Sequence, residues 1–397
     1  MSRVKSLNIK YVASQVFYFA TFAAMMGYAS VYLLHKGFSN STIGIILSLC
    51  NILAVFMQPA LATFADKNQK IEIRKIITTI VAIAIALSAI LLVVPSNQAI
   101  IFILIVSIFS LMTTIMPLMN TLAFVFEKYG IQVNYGLARG LGSVAYAVAS
   151  MVLGHAVDAF SPDLLPVCYV VFNALLFIVV HGYVLPKSEQ IEVAVETNDE
   201  DEVAVNNEGL LRFAGKYKKF IVFLLGFVFV YFAHTIINNF FIQIITNVGG
   251  NSSDMGNAVF LAAMLELPTM AYFTKLSKKV NCGTLIKISI ILFLVKHVIT
   301  YFADGMTMIY IAQAFQMGAY ALFIPASVYY VNCKIAPQDM VKGQSFVTTS
   351  MTVAGVFGNL IGGMLLDSVG VSQVLLISAV LSLIGAVIVV MSVEIIL

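Results

Sequence analysis

Apolar stretches of close to twenty residues recur along the whole chain, parted by short polar connectors. They lack the alternation over about ten residues that marks a membrane-barrel strand, so each reads as a helix able to cross a hydrocarbon core of about 30 Å. Twelve spans follow, over residues 11–34, 42–64, 76–95, 99–126, 138–157, 164–185, 219–246, 255–275, 284–303, 306–332, 342–366 and 371–394. Between the sixth and seventh lies EQIEVAVETNDEDEVAVNNEG, acidic and free of aromatic residues, which reads as a flexible linker. The pattern predicts an all-α membrane protein of twelve transmembrane helices: a six-helix bundle over 1–185, a linker over 186–218 and a second six-helix bundle over 219–397.

Charge adds orientation. Lys and Arg gather in alternate connectors, as in Lys67, Lys70, Arg74 and Lys75, and again in Lys275, Lys278, Lys279 and Lys287. Only Lys36 falls in a segment of the opposite set. Cationic loops resist translocation, so both termini are expected on the cytoplasmic side of the inner membrane. The N-terminal basic start and apolar run imitate a signal peptide, but Tyr11 to Leu34 is too long for one and reads as the first span. Matching basic loops after spans 2 and 8 suggest two structural repeats, with a substrate site near the midplane between them.

Composition removes several classes. A chain of 397 residues with 60% hydrophobic and 10% charged residues is no soluble domain. The net charge of +3 follows from loop bias and makes no case for nucleic acid. Cys50, Cys168, Cys282 and Cys333 show neither disulfide placement nor metal-ligand spacing. No HExxH, GxSxG, phosphate loop or catalytic carboxylate pair appears, so neither an enzyme nor a cofactor is expected.

Ionisable groups inside a membrane span are costly and tend to face a cavity or a partner. His234, Glu266 and Lys296 fall near the middle of spans 7, 8 and 9. Glu266 and Lys296 should lie at similar depth, and we expect them to pair across the cavity. His234 reads equally as a protonation site or as a neutral hydrogen-bonding residue. Arg139, Ser143 and Tyr146 are spaced i, i+4 and i+7, which puts a guanidinium, a hydroxyl and a ring on one face. Asn238 and Asn239 add amides that bind hydroxyls as donor or acceptor.

The segment SNSTIGIILSLCNILAVFMQPALATFADK resembles the first loop and second helix of the lactose permease (oligosaccharide–proton symporter) family, within the major facilitator superfamily. The likeness lies in the Ser and Thr before Gly44-Ile45-Ile46, in Phe56 with Gln58-Pro59, and in Asp66-Lys67. ADKNQKIEIRK resembles the superfamily's loop 2–3 signature without its expected glycines. NYGLARGLGSVAYAVAS resembles helix 5 of that family and, as closely, that of the phenylpropionate-type permeases. The resemblance implies the major facilitator fold. It implies that Tyr146 stands where a Trp stacks on the sugar, and that Glu127 and Arg139 stand where sugar hydroxyls are held. The Glu-to-Arg spacing is shorter here than in the family. It further implies a gating role for Asp66, with Lys67 and Arg74 beside it, although simple membrane anchoring would explain the two cations. Gln313, Gln316 and Ala319 occupy the positions of the family's proton-coupling Lys, His and Glu, so that route does not transfer. Glu127, Glu266 and His234 remain as coupling candidates, and uniport stays open.

The expected function is therefore secondary transport of a small hydroxylated solute, a sugar or oligosaccharide, by alternating access. The protein would act as a monomer among membrane lipids, with protons as an open coupling partner. Candidate substrate contacts are Arg139, Ser143, Tyr146, Asn120, Asn238, Asn239, Gln313 and Gln316. A permease for an aromatic acid or nucleoside, or a non-transporting sensor of the same fold, is the alternative.

Overall fold

The computed structural model describes residues 3–68, 70–94, 97–127, 133–183 and 210–395. Among these, eleven single helices are long and apolar enough to cross a membrane, and a bent pair makes twelve. We label the twelve spans α1 to α12. α1 runs as Arg3–Phe22, a π-helical turn Ala23–Gly27 and Ala29–His35, with a bend of 45°. α2 is Asn40–Lys67, α3 Ile73–Val93, and α4 Gln98–Thr114 followed by Met116–Glu127. α5 is Tyr135–Ala159 and α6 Leu164–His181. α7 is Lys218–Asn239 continued by Phe241–Asn247, α8 Ser252–Ser277 and α9 Cys282–Phe302. α10 joins Met306–Ala314 to Tyr320–Lys334 through a 3₁₀ turn, α11 is Met340–Val369 and α12 Val371–Ser392.

The acidic part of the expected linker lies outside the described residues. Its last stretch is not loose, because Leu210–Lys216 is helical and buries Phe213 against Phe220 and Phe346. An aromatic ring with somewhere apolar to go outweighs the polar character that the composition of the segment suggested.

Within the first six spans, α1 packs on α5 and α6, α3 on α6 and α4, and α2 on α4. Within the last six, α7 packs on α11 and α12, and α9 on α12 and α10. The two sets meet mainly along α2 with α11 and α5 with α8. Small residues permit that approach. A Cβ on Gly44 would collide with the Asn359 carbonyl, and one on Gly256 would meet the Ser150 carbonyl.

One end of the molecule is clasped by polar contacts between the halves. Asp158, near the end of α5, accepts from the backbone N–H of Ser252 and Ser253 at 3.2 and 2.6 Å, at the start of α8. Asp367, near the end of α11, accepts from the N–H of Asn40 and Ser41 at 3.1 and 2.7 Å, at the start of α2. Each carboxylate thus caps the positive end of a helix in the other half. The Gln243 amide donates to Asn40 Oδ1 at 2.8 Å beside the second of these. At the opposite end, among the described residues, the ties stay within a half. Arg74 bonds Glu72 and the Tyr183 carbonyl, Lys10 bonds the Gly182 carbonyl at 2.6 Å, and Lys216 bonds Asp339 at 2.8 Å. Among the described residues the polar contacts between the halves therefore lie at one end, away from the end that carries the basic loops.

Candidate functional site

α5 carries Arg139, Ser143 and Tyr146 on one face, as their spacing required. The Arg139 guanidinium donates to Ser143 Oγ at 3.1 Å and lies 4.3 Å from the centre of the Phe19 ring on α1. That cation–π contact, worth about 0.5–2 kcal/mol, helps to hold the fork in place. Tyr146 rests against the bend of α1, where a Cβ on Gly27 would come within 3.1 Å of its hydroxyl.

The other half contributes Glu266 from α8, Lys296 from α9 and Gln316 from the 3₁₀ turn of α10. Lys296 has no exposed surface, and its Nζ donates to Gln316 Oε1 at 2.6 Å. Glu266 interacts with the same amide and feels the Lys296 charge. The direct Glu266–Lys296 pair expected from depth alone is not formed, because the break in α10 sets Gln316 between them. Tyr146 lies within electrostatic reach of Glu266, and Tyr320 of α10 within reach of both Glu266 and Arg139. The two halves thus face each other across one ionic group.

Beside it lies a neutral chamber of about 320 Å³ walled by α2, α4, α7 and α11. Asn51 and Gln58 of α2, Thr113 of α4, His234, Asn238 and Asn239 of α7, and Thr352 of α11 line it. Asn238 Nδ2 donates to His234 Nε2 at 2.9 Å, which assigns the ring proton to Nδ1. Asn239 Nδ2 donates to Asn359 Oδ1 at 2.6 Å, and Gln58 Nε2 to the Thr113 carbonyl at 3.1 Å. The His234 ring stacks on Tyr320 at 5.7 Å and tilts against Tyr231 at 5.4 Å. These aromatic rings divide the chamber from the ionic group.

The remaining expected residues fall elsewhere. Gln313 is buried on α10, and Asn120 is half-buried on α4; neither lines the chamber. Glu127 ends α4, and its side chain lies outside the described residues. Asp66 and Lys67 are exposed at the end of α2, and among the described residues no ion pair holds Asp66. Arg74 is held by Glu72, so the three loop residues do not form one cluster. Sequence reasoning passed over Asn51, Thr113, Tyr231, Tyr320 and Thr352, and treated Gln58 only as part of a resemblance. A signal was present for two of them. Asn51 and Gln58 stand seven apart, which places two amides on one face of an otherwise apolar helix.

Comparison with known proteins gives the following. A family model described as "MFS_1 like family" matches residues 8–377. The chain is 26% identical over 387 residues to an uncharacterized transporter, YwbF, of Bacillus subtilis (strain 168), covering 94% of this chain and 91% of that one. It is 26% identical over 376 residues to a maltose permease of Geobacillus stearothermophilus, covering 92% and 90%. Its fold is similar to the crystal structure of a point variant of the nucleoside transporter NupG, with a TM-score of 0.81 at 17% identity over 98% of this chain and 100% of the other.

Proposed function

The chain belongs to the MFS_1 like family of major facilitator transporters, and from that premise we propose that it carries a small hydroxylated solute, a sugar or short oligosaccharide, across the bacterial inner membrane. It is a multi-pass membrane transporter and not an enzyme. The proposed topology keeps both termini and the basic loops in the cytoplasm, so the end without clasps opens inward and the clasped end faces out. Alternating access then consists of releasing the two carboxylate clasps and closing the opposite end.

The observation that carries this reading is that Tyr146 and Arg139 of one half lie within electrostatic reach of Glu266 and Tyr320 of the other, with Gln316 beside Glu266. A solute seated there touches both halves and so responds to their relative rocking. The guanidinium offers forked donors to hydroxyls, and the Tyr146 ring suits the apolar face of a sugar. Glu266 is the coupling group in this proposal. Ionised, it attracts Lys296 across Gln316; protonated, it loses that attraction and leaves the amide to the ammonium. The aromatic wall of Tyr231, Tyr320 and His234 favours a nucleoside as the second reading, since a base stacks on such rings.

Uptake of labelled maltose and labelled uridine into proteoliposomes, with and without an imposed proton gradient, tests the proposal. Maltose flux driven by the gradient, with the drive lost in Glu266→Gln, is expected. Flux that ignores the gradient removes coupling, and uridine flux without maltose flux selects the nucleoside reading. Binding of either without any flux makes the protein a sensor.

A further inference from the structure

We infer that the chamber walled by α2, α7 and α11 is a separate subsite for an uncharged, hydroxyl-rich ring, with Asn51 and Thr352 as its selecting residues. The inference rests on the proposed transport of a solute through the central cavity, and it adds which chemistry each part of that cavity accepts.

The argument is one of donors and acceptors. The amide nitrogens of Gln58, Asn238 and Asn239 each commit one N–H to a protein partner, while among the described residues their side-chain oxygens accept no hydrogen bond. The Thr352 hydroxyl donates back to the Thr348 carbonyl at 3.2 Å, which leaves its oxygen to accept as well. Asn51 makes no hydrogen bond among the described residues. Its nitrogen stands 3.4 Å from where a Cβ on Gly355 would be, one turn beyond Thr352, so it reaches across from α2 toward α11. Thus the walls present an excess of acceptors. Apart from the His234 ring and the Tyr231 phenol they hold no ionisable side chain.

An occupant must then bring donors and no charge. A carboxylate or phosphate offers only acceptors; it would meet the few remaining amide N–H groups but no cation, so its charge would stay uncompensated at a high cost of desolvation. A polyhydroxylated ring offers several O–H donors and accepts once or twice from Asn51. The volume, about 320 Å³, lies at the small end for ligand pockets and suits one ring. A second ring or a base would lie beyond the aromatic wall, against Tyr146 and Arg139.

The test is titration calorimetry of the purified full-length protein with maltose, uridine and 3-phenylpropionate, comparing the parent with Asn51→Leu and Thr352→Val. Both substitutions keep volume and remove polar atoms, and melting without ligand checks that each variant folds. A maltose or uridine Kd that rises about 3- to 10-fold in each variant supports the subsite. Parent binding with unchanged Kd in both variants overturns the subsite and leaves the transport reading standing. Binding of phenylpropionate that weakens equally in the variants overturns the selectivity for hydroxyls. No binding of maltose or uridine by the parent overturns the subsite and the sugar and nucleoside readings together.

Discussion

Lys296 carries an ammonium on α9 with no exposed surface, and the amide oxygen of Gln316 accepts its hydrogen bond at 2.6 Å. Removing one member of such a buried polar pair strands the other, whereas removing both restores an apolar core. Gln316→Leu should therefore cost about 1–3 kcal/mol of stability, with much of it regained in the double variant with Lys296→Met. Thermal melting in detergent of the two single variants and the double checks this; additive losses would show that the pair is not coupled. Arg139 and Tyr146 differ, because both are only half-buried, Arg139 held by Ser143 and the Phe19 ring and Tyr146 against the bend of α1. Arg139→Gln and Tyr146→Ala should raise the apparent KM for uptake about tenfold or more while leaving melting within about 1 kcal/mol. On the loop before α3, the Arg74 guanidinium hydrogen-bonded to Glu72 holds that carboxyl below its ordinary value of 4.5. A depressed carboxyl stabilises the fold at pH above its unfolded value and loses that contribution as pH falls through the folded one. Glu72→Gln should accordingly abolish a small acid-side loss of stability, visible as convergence of the two melting curves as pH falls below the ordinary carboxylate range.

The helices that break are α1, α4, α7 and α10, one in every three, at the same place in each six-helix set. A span facing lipid cannot leave backbone groups unpaired, while one facing a wet cavity can. The breaks therefore mark the cavity side, and at α10 the break sets Gln316 against Lys296. The contact between α2 and α11 depends on the opposite property, unbroken helices with small residues. Gly44 lies against Gly363, where a side chain has no room. Gly44→Val should wedge the clasped end apart. With the native cysteines replaced and Gln243→Cys introduced, an impermeant maleimide should label this variant faster than the Gly44 parent, since Gln243 is buried when the clasp is shut. Equal labelling would mean that the close approach is not needed for closure.

At the scale of the molecule, the first six spans and the last six are held together at one end by two equivalent devices. Asp158 from α5 caps α8, and Asp367 from α11 caps α2, so each half lends one carboxylate to the other. Exchanging a charged acceptor for a neutral one weakens each cap by about 1 kcal/mol or more. Because the end opens only when both let go, Asp158→Asn with Asp367→Asn should shift the open population by about tenfold or more, and each single change by less. Labelling at the same introduced cysteine reads this directly. A double variant as slow as the parent would sink the role of the clasps.

The sequence alone determined the spans, their number and the Arg139–Ser143–Tyr146 face. These depend on hydrophobic length and on the 3.6-residue repeat, both local properties. It also located Glu266 and Lys296 at one depth, because depth in a membrane follows from position along a straight helix. Whether they touch was decided by a third residue on a broken helix, and no single-helix argument contains that. The chamber was likewise hidden, since Asn51, His234 and Thr352 belong to three helices that meet only through packing. The clasps were the least legible, for Asp158 and Asp367 look like ordinary loop-end carboxylates until the amides of another bundle are brought to them. Tertiary structure decides which polar groups find each other, because hydrogen bonds act over about 3 Å and the chain separates these partners by tens to hundreds of residues.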